Sequence, residues 1–194
     1  MSLCAHRPPP PPHTHTPHTL APRIPQVISQ MLKCAPTGFL DFLEFVVTRL
    51  VECFKSTEDE MSHTAELTLE QLVTTLDAQR CVRVLLPMVM VEEGAALQCS
   101  IHLLSKALPR LPSAVLLEQL PAVIPGLTEA FRNPSADIRK AVVFTLVEIF
   151  VVLGEALWPY LNELNAAQLK LVTIYVNRTM AQRGLQGQPA VSGV

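Results

Sequence analysis

A chain of 194 residues suits one domain with tails, and 49% hydrophobic against 16% charged residues supplies enough apolar material for a sizeable core. The formal net charge of -2 and the 5% aromatic content argue against a dedicated nucleic-acid binder, which carries a basic footprint or an aromatic stacking platform. The five cysteines, Cys4, Cys34, Cys53, Cys81 and Cys99, form no CxxC pair and are odd in number, so reduced and mostly buried thiols of a cytosolic protein are expected rather than a disulfide framework or a zinc site.

Residues 1–23 stand apart. They hold Pro8 to Pro12, Pro17 and Pro22, together with His6, His13, His15 and His18, and have no apolar signal core. Such a segment buries too little apolar surface to offset its ordering entropy, so a disordered Pro/His-rich leader is expected. Its five consecutive prolines favour polyproline II, the shape that SH3, WW or profilin-type grooves bind, but a bare leader is the preferred reading.

From Ile24 the pattern is helical, with no strand-like alternation. Apolar residues at 39, 42, 43, 46, 47, 50 and 54 predict a first helix, which the polar "STEDEMSHT" interrupts. A second helix is expected over about 63–76. Asp77 is placed to cap a third, carried by "AQRCVRVLLPMVMV". After "EEGA" a fourth runs over about 95–108. Ser113 is the expected cap of the next helix, and Pro121 and Pro125 should kink it. Asn133 and Pro134 turn the chain, Ser135 or Asp137 caps again, and the apolar run Ala141 to Trp158 follows. Glu148, Gly154 and Glu155 interrupt that run, which reads as a buried helix rather than a membrane span. "EALWPYLNEL" and "AAQLKLVTIYVNRTMAQ" complete the helices, and residues 183–194 read as a flexible tail.

Three helix pairs can be drawn, over 39–76, 77–108 and 113–154, each roughly 32 to 42 residues with a short polar break inside. That is the rhythm of a HEAT-type α-solenoid, so the expected fold is an all-α array over 24–182. A helix stacked between two neighbours and its own pair partner is apolar nearly all round, which accounts for 141–153 and predicts buried Val142 and Leu146. At 100° per residue, Asp137, Lys140, Glu148 and Glu155 fall within about an 80° stripe, and Arg139 points the opposite way. The order of polar turn, Asp137, Ile138, Arg139 and the small Ala141 resembles the HEAT pattern, in which the arginine braces a neighbouring repeat.

From about Glu66 the likeness is more specific. "PGLTEAFRNPSADIRKAVVFTLV" and the ending "LGEALWPYLNELNAAQLKLVTIYVNR" resemble the C-terminal, TOG-like domain of the CLASP family, the cytoplasmic linker-associated proteins. The resemblance implies a microtubule-associated protein that tracks growing ends and a terminal domain that docks kinetochore, cortical and Golgi adaptors. It also implies a cytoplasmic, cytoskeletal setting that includes the spindle. The chain departs from a full TOG array in having three repeats and a closing pair, and Trp158 lies beyond the last repeat rather than in a turn, which weakens the case for direct tubulin binding.

No GxGxxG, GxxxxGK[ST] or HExxH motif is present, and His63 and His102 lie far apart in sequence. The chain therefore reads as a non-enzyme without cofactor, metal, nucleic-acid or membrane partner. The alternative is a general HEAT scaffold unrelated to microtubules. Turns inside HEAT repeats share one edge, so 56–62, 92–95 and 133–137 should form a row. It holds Glu58, Asp59, Glu60, Glu92, Glu93, Asp137 and, beside it, Lys140. A mainly acidic row suits a basic or amphipathic adaptor segment better than acidic tubulin.

Overall fold

The computed structural model describes residues 23–184. Eight α-helices follow one another: α1 (Arg23–Cys34), α2 (Leu43–Phe54), α3 (Asp59–Thr75), α4 (Ala78–Val91), α5 (Gly94–Ala107), α6 (Ser113–Ala130), α7 (Ala136–Leu153) and α8 (Ala166–Gln182). Short 3-10 segments cover Pro36–Phe39, Leu108–Arg110 and Gly154–Tyr160, and no strand occurs among the described residues. Apart from Arg23 in α1, and Arg183 and Gly184 after α8, the expected leader and tail lie outside the described residues.

The helices form two rows. α2, α4 and α6 make the first, continued by Gly154–Tyr160, which lies against α6 and α7. The second is α1, α3, α5, α7 and α8, each packed on the next. α2–α3, α4–α5 and α6–α7 are the three predicted pairs, and Gly154–Tyr160 with α8 is the closing one. The core runs unbroken through all of them, from Leu32 to Val176. In α7, Val142 is 0% and Leu146 is 2% exposed, as expected of a second-row helix walled in by α5, α6 and α8. By length and composition the stretch Ala136–Tyr160 is long and apolar enough to cross a membrane, contrary to that part of the reading. In the fold its apolar side chains Ile138, Val143, Ile149 and Phe150 are buried in the array core.

Several local expectations are corrected. The helix predicted from position 39, here α2, begins at Leu43, after the 3-10 turn Pro36–Phe39, and Phe42 is its exposed N-cap. α3 starts at Asp59 rather than near 63, because Asp59 and Glu60 sit well in a first helical turn, beside the positive end of the helix dipole. Ser113 is the first residue of α6, behind Pro112, and caps nothing. Pro121 and Pro125 lie inside α6, both exposed, so the carbonyls one turn back that lose an N–H partner face the solvent side. Asp77 does cap α4, accepting from Arg80 N at 2.9 Å. Neither Ser135 nor Asp137 caps α7 by its side chain; instead the Asn133 side chain accepts from Ser135 N at 2.9 Å and shapes the turn. An unforeseen capping box opens α8, where Asn165 and Gln168 bond reciprocally. Of the described cysteines, Cys81 and Cys99 are buried, Cys53 is half-buried and Cys34 is exposed, so the thiols are less uniformly buried than expected.

The arginine brace is also relocated. Arg139 Nη1 donates to the carbonyls of Asn133 (2.8 Å) and Pro134 (2.6 Å), holding its own turn and not a neighbouring repeat. Arg110, just past α5, does the bracing, donating to the carbonyls of Val73 and of Leu76 (2.9 Å). Those lie at the end of α3, where helix geometry leaves carbonyls without intrahelical donors. Arg110→Ala should therefore lower stability by about 1–2 kcal/mol, read as a fall of a few degrees in Tm. An unchanged melting curve would show that water replaces the guanidinium there.

Candidate functional site

Each of the three pairs turns from a first-row to a second-row helix over a few residues. Lys55–Glu58 joins α2 to α3, Glu92 and Glu93 join α4 to α5, and Phe131–Ser135 joins α6 to α7. The first two links are shorter than the segments drawn from sequence, and the third is as long but begins two residues earlier. The first two are tied directly, since Lys55 Nζ lies 2.6 Å from Glu92 Oε2. Between α3, α5 and α7 lies a groove of about 370 Å³, lined among others by Phe54, Glu66, Ala95, Asp137, Lys140 and Phe144.

The predicted row residues fall into three kinds. Glu58 and Glu93 are exposed N-caps of α3 and α5 whose carboxylates make no cap bond, so both face solvent at the edge. Asp59 and Glu60 are exposed in the first turn of α3. Glu92 departs from expectation: its side chain is 19% exposed and its charge is answered by Lys55, because α2 ends against the α4–α5 turn. Asp137 and Lys140 stand in the first turns of α7, exposed, at the mouth of the groove.

Four groups escaped the sequence reading. Lys55 neutralises the middle of the row. Phe144 is 42% exposed, with the Lys140 ammonium 5.9 Å from its ring centroid and Tyr175 of α8 edge-on at 5.6 Å. Glu66 enters the groove from α3. His102 Nε2 lies 2.7 Å from Glu70 Oε1, bridging α5 to α3 beside it. Phe144 had a signal, being an aromatic one helical turn beyond Lys140 on the polar stripe. The others had none, since each acts on a helix distant in sequence.

At the groove floor the Cys99 thiol is pushed up to about 12, chiefly by burial and then by the carboxylates of Glu66 and Glu70. Burial likewise raises Cys81 to about 11. Both stay protonated and unreactive at neutral pH. No group of three His, Cys, Asp or Glu side chains among the described residues is placed to hold a metal ion. The arrangement offers charge, an aromatic anchor and a shaped surface, which are the means of binding another macromolecule.

No family model matches the chain. Over 157 residues, 81% of its length, it is 40% identical to the CLIP-associated protein of Arabidopsis thaliana. It is 30% identical over 153 residues, 79% of its length, to CLIP-associating protein 1-A of Xenopus laevis. To Protein CLASP-2 of Caenorhabditis elegans it is 26% identical over 162 residues, 80% of its length. The matched segment is 11%, 10% and 16% of these three relatives, so the chain spans only a small part of their length.

Proposed function

Because the chain belongs to the CLASP family, the CLIP-associating proteins, we propose that it is a non-enzymatic docking module of a microtubule-associated protein, working on the cytoskeleton by binding adaptors at its turn edge. The observation that supports this reading is the edge itself: Glu58, Glu93 and Asp137, none of them ion-paired among the described residues, present exposed carboxylates from three successive repeats, alongside Lys140. Such an edge attracts a basic segment and opposes the acidic outer face of tubulin. The partner class carried by the relatives' names is CLIP, and the module is proposed to bind a protein of that kind. Similarity to CLIP-associated proteins weighs against the general-scaffold alternative.

Two measurements test it. Microtubule co-sedimentation of the purified chain should show weak binding at physiological salt, and titration with a purified CLIP should show specific binding. Tight, salt-sensitive binding to microtubules that Lys140→Glu abolishes would instead make the turn edge a tubulin-contacting surface.

Charge reversal belongs at Glu93, not Glu92, since Glu92→Lys would set two ammonium groups against each other and disturb the fold. Glu93→Lys should leave Tm unchanged within about 0.5 kcal/mol of stability. It should slow partner association on the order of 3- to 10-fold at low salt, with little change in dissociation. Stopped-flow or interferometry traces would separate the two rates, and an effect confined to dissociation would contradict electrostatic steering.

A further inference from the structure

Resting on the reading of this chain as a docking module, we propose that the groove between α3, α5 and α7 is its anchoring site and takes a basic amphipathic segment. One large apolar side chain lies against Phe144 and Ala141, and a lysine or arginine of the same segment is held by Glu66 and Asp137. The charge in the groove calls for that chemistry. Glu66 and Asp137 line it from opposite sides, and neither has a cationic partner within ion-pair distance among the described residues. The neighbouring Glu70 is already engaged by His102.

The apolar half is equally specific. Phe144 is exposed, yet its ring is fixed by Tyr175 edge-on and by the Lys140 ammonium. A ring already held in place loses little rotamer freedom on binding, which is how an aromatic becomes an anchor. Ala141, one turn back toward the α7 N-terminus, leaves room beside it. Lys140 stands over the ring and repels a second cation there, so the segment's basic group is directed to Glu66 and its apolar group to Phe144. Exposure of Phe144 thus has a use that an isolated surface aromatic lacks.

The test uses the full chain and three synthetic 16-residue peptides: an amphipathic helix of lysine and leucine with one phenylalanine, its scrambled order, and its glutamate-for-lysine counterpart. Calorimetric titration should detect the first alone. Phe144→Ser should weaken it about 10-fold, and the double variant Glu66→Gln/Asp137→Asn about 10-fold with loss of most of the salt dependence. Glu58→Gln/Glu93→Gln, which removes attraction at the turn edge but no contact in the groove, should weaken it about threefold, through association alone and with dissociation unchanged. Circular dichroism melts check that each variant folds. Binding unchanged in both groove variants overturns the groove as the anchor; if the Glu58/Glu93 variant then loses affinity, docking at the turn edge survives by itself. Absent binding, or equal binding of the scrambled or glutamate peptide, overturns the basic amphipathic occupant, while the CLIP titration judges the docking reading separately.

Discussion

Val142→Asp is expected to unfold the array or bring it to the edge of unfolding. Val142 is 0% exposed in α7, the helix that α5, α6 and α8 enclose. An aspartate there either ionises in an apolar surround or stays neutral with unmatched hydrogen-bonding groups, and it forfeits the valine's burial as well. The combined effect is about 3–5 kcal/mol, against a total stability on the order of 5–15 kcal/mol for a domain. Val142→Ala, which only removes methyl groups, should lose about 2 kcal/mol and remain folded. Urea and thermal denaturation followed by far-UV circular dichroism would measure both. A Val142→Asp protein that melts within a degree or two of the parent would show that this helix face is not enclosed.

Gly154→Val should have the next largest effect. Gly154 ends α7 with φ 59° and ψ -137°, a region that a side chain with a Cβ essentially does not enter. Forcing valine into it should cost about 2–3 kcal/mol or swing the following segment out of place. That segment packs Leu157 at 0% exposure and sets Trp158 against Phe150, with ring centroids 5.1 Å apart. Trp158 is the single tryptophan of the chain, so its emission reports this position directly. Gly154→Ala should show most of the effect, because the penalty begins at Cβ. Parent-like melting and tryptophan emission in Gly154→Ala would mean that the backbone turns here by another route.

Most of the fold was legible in the one-dimensional pattern. Apolar residues at helical spacing located the pairs to within a few residues, Asp77 marked a real cap, and the all-round apolarity of 141–153 foretold burial of Val142 and Leu146. Each of these follows from contacts within one helix turn or from the number of sides a helix must bury, and sequence spacing encodes both. Helix ends were less legible. Asp59, Ser113 and Ser135 show why: a polar residue near a boundary can be cap, first turn or linker, and the choice depends on how the incoming chain is held.

The candidate site divides along the same line. That Glu58, Glu93, Asp137 and Lys140 would be exposed near turns was readable, because each follows or opens a break in the helical pattern. That Lys55 answers Glu92, that Arg110 rather than Arg139 spans two repeats, and that Glu66, Ala95 and Phe144 meet across one groove was not. These partners are separated by many residues, and nothing in either local pattern specifies the other. The stacking of the two rows decides which side chains face one another, because a rotation or slide of one helix against its neighbour exchanges those partners while leaving every helical periodicity intact.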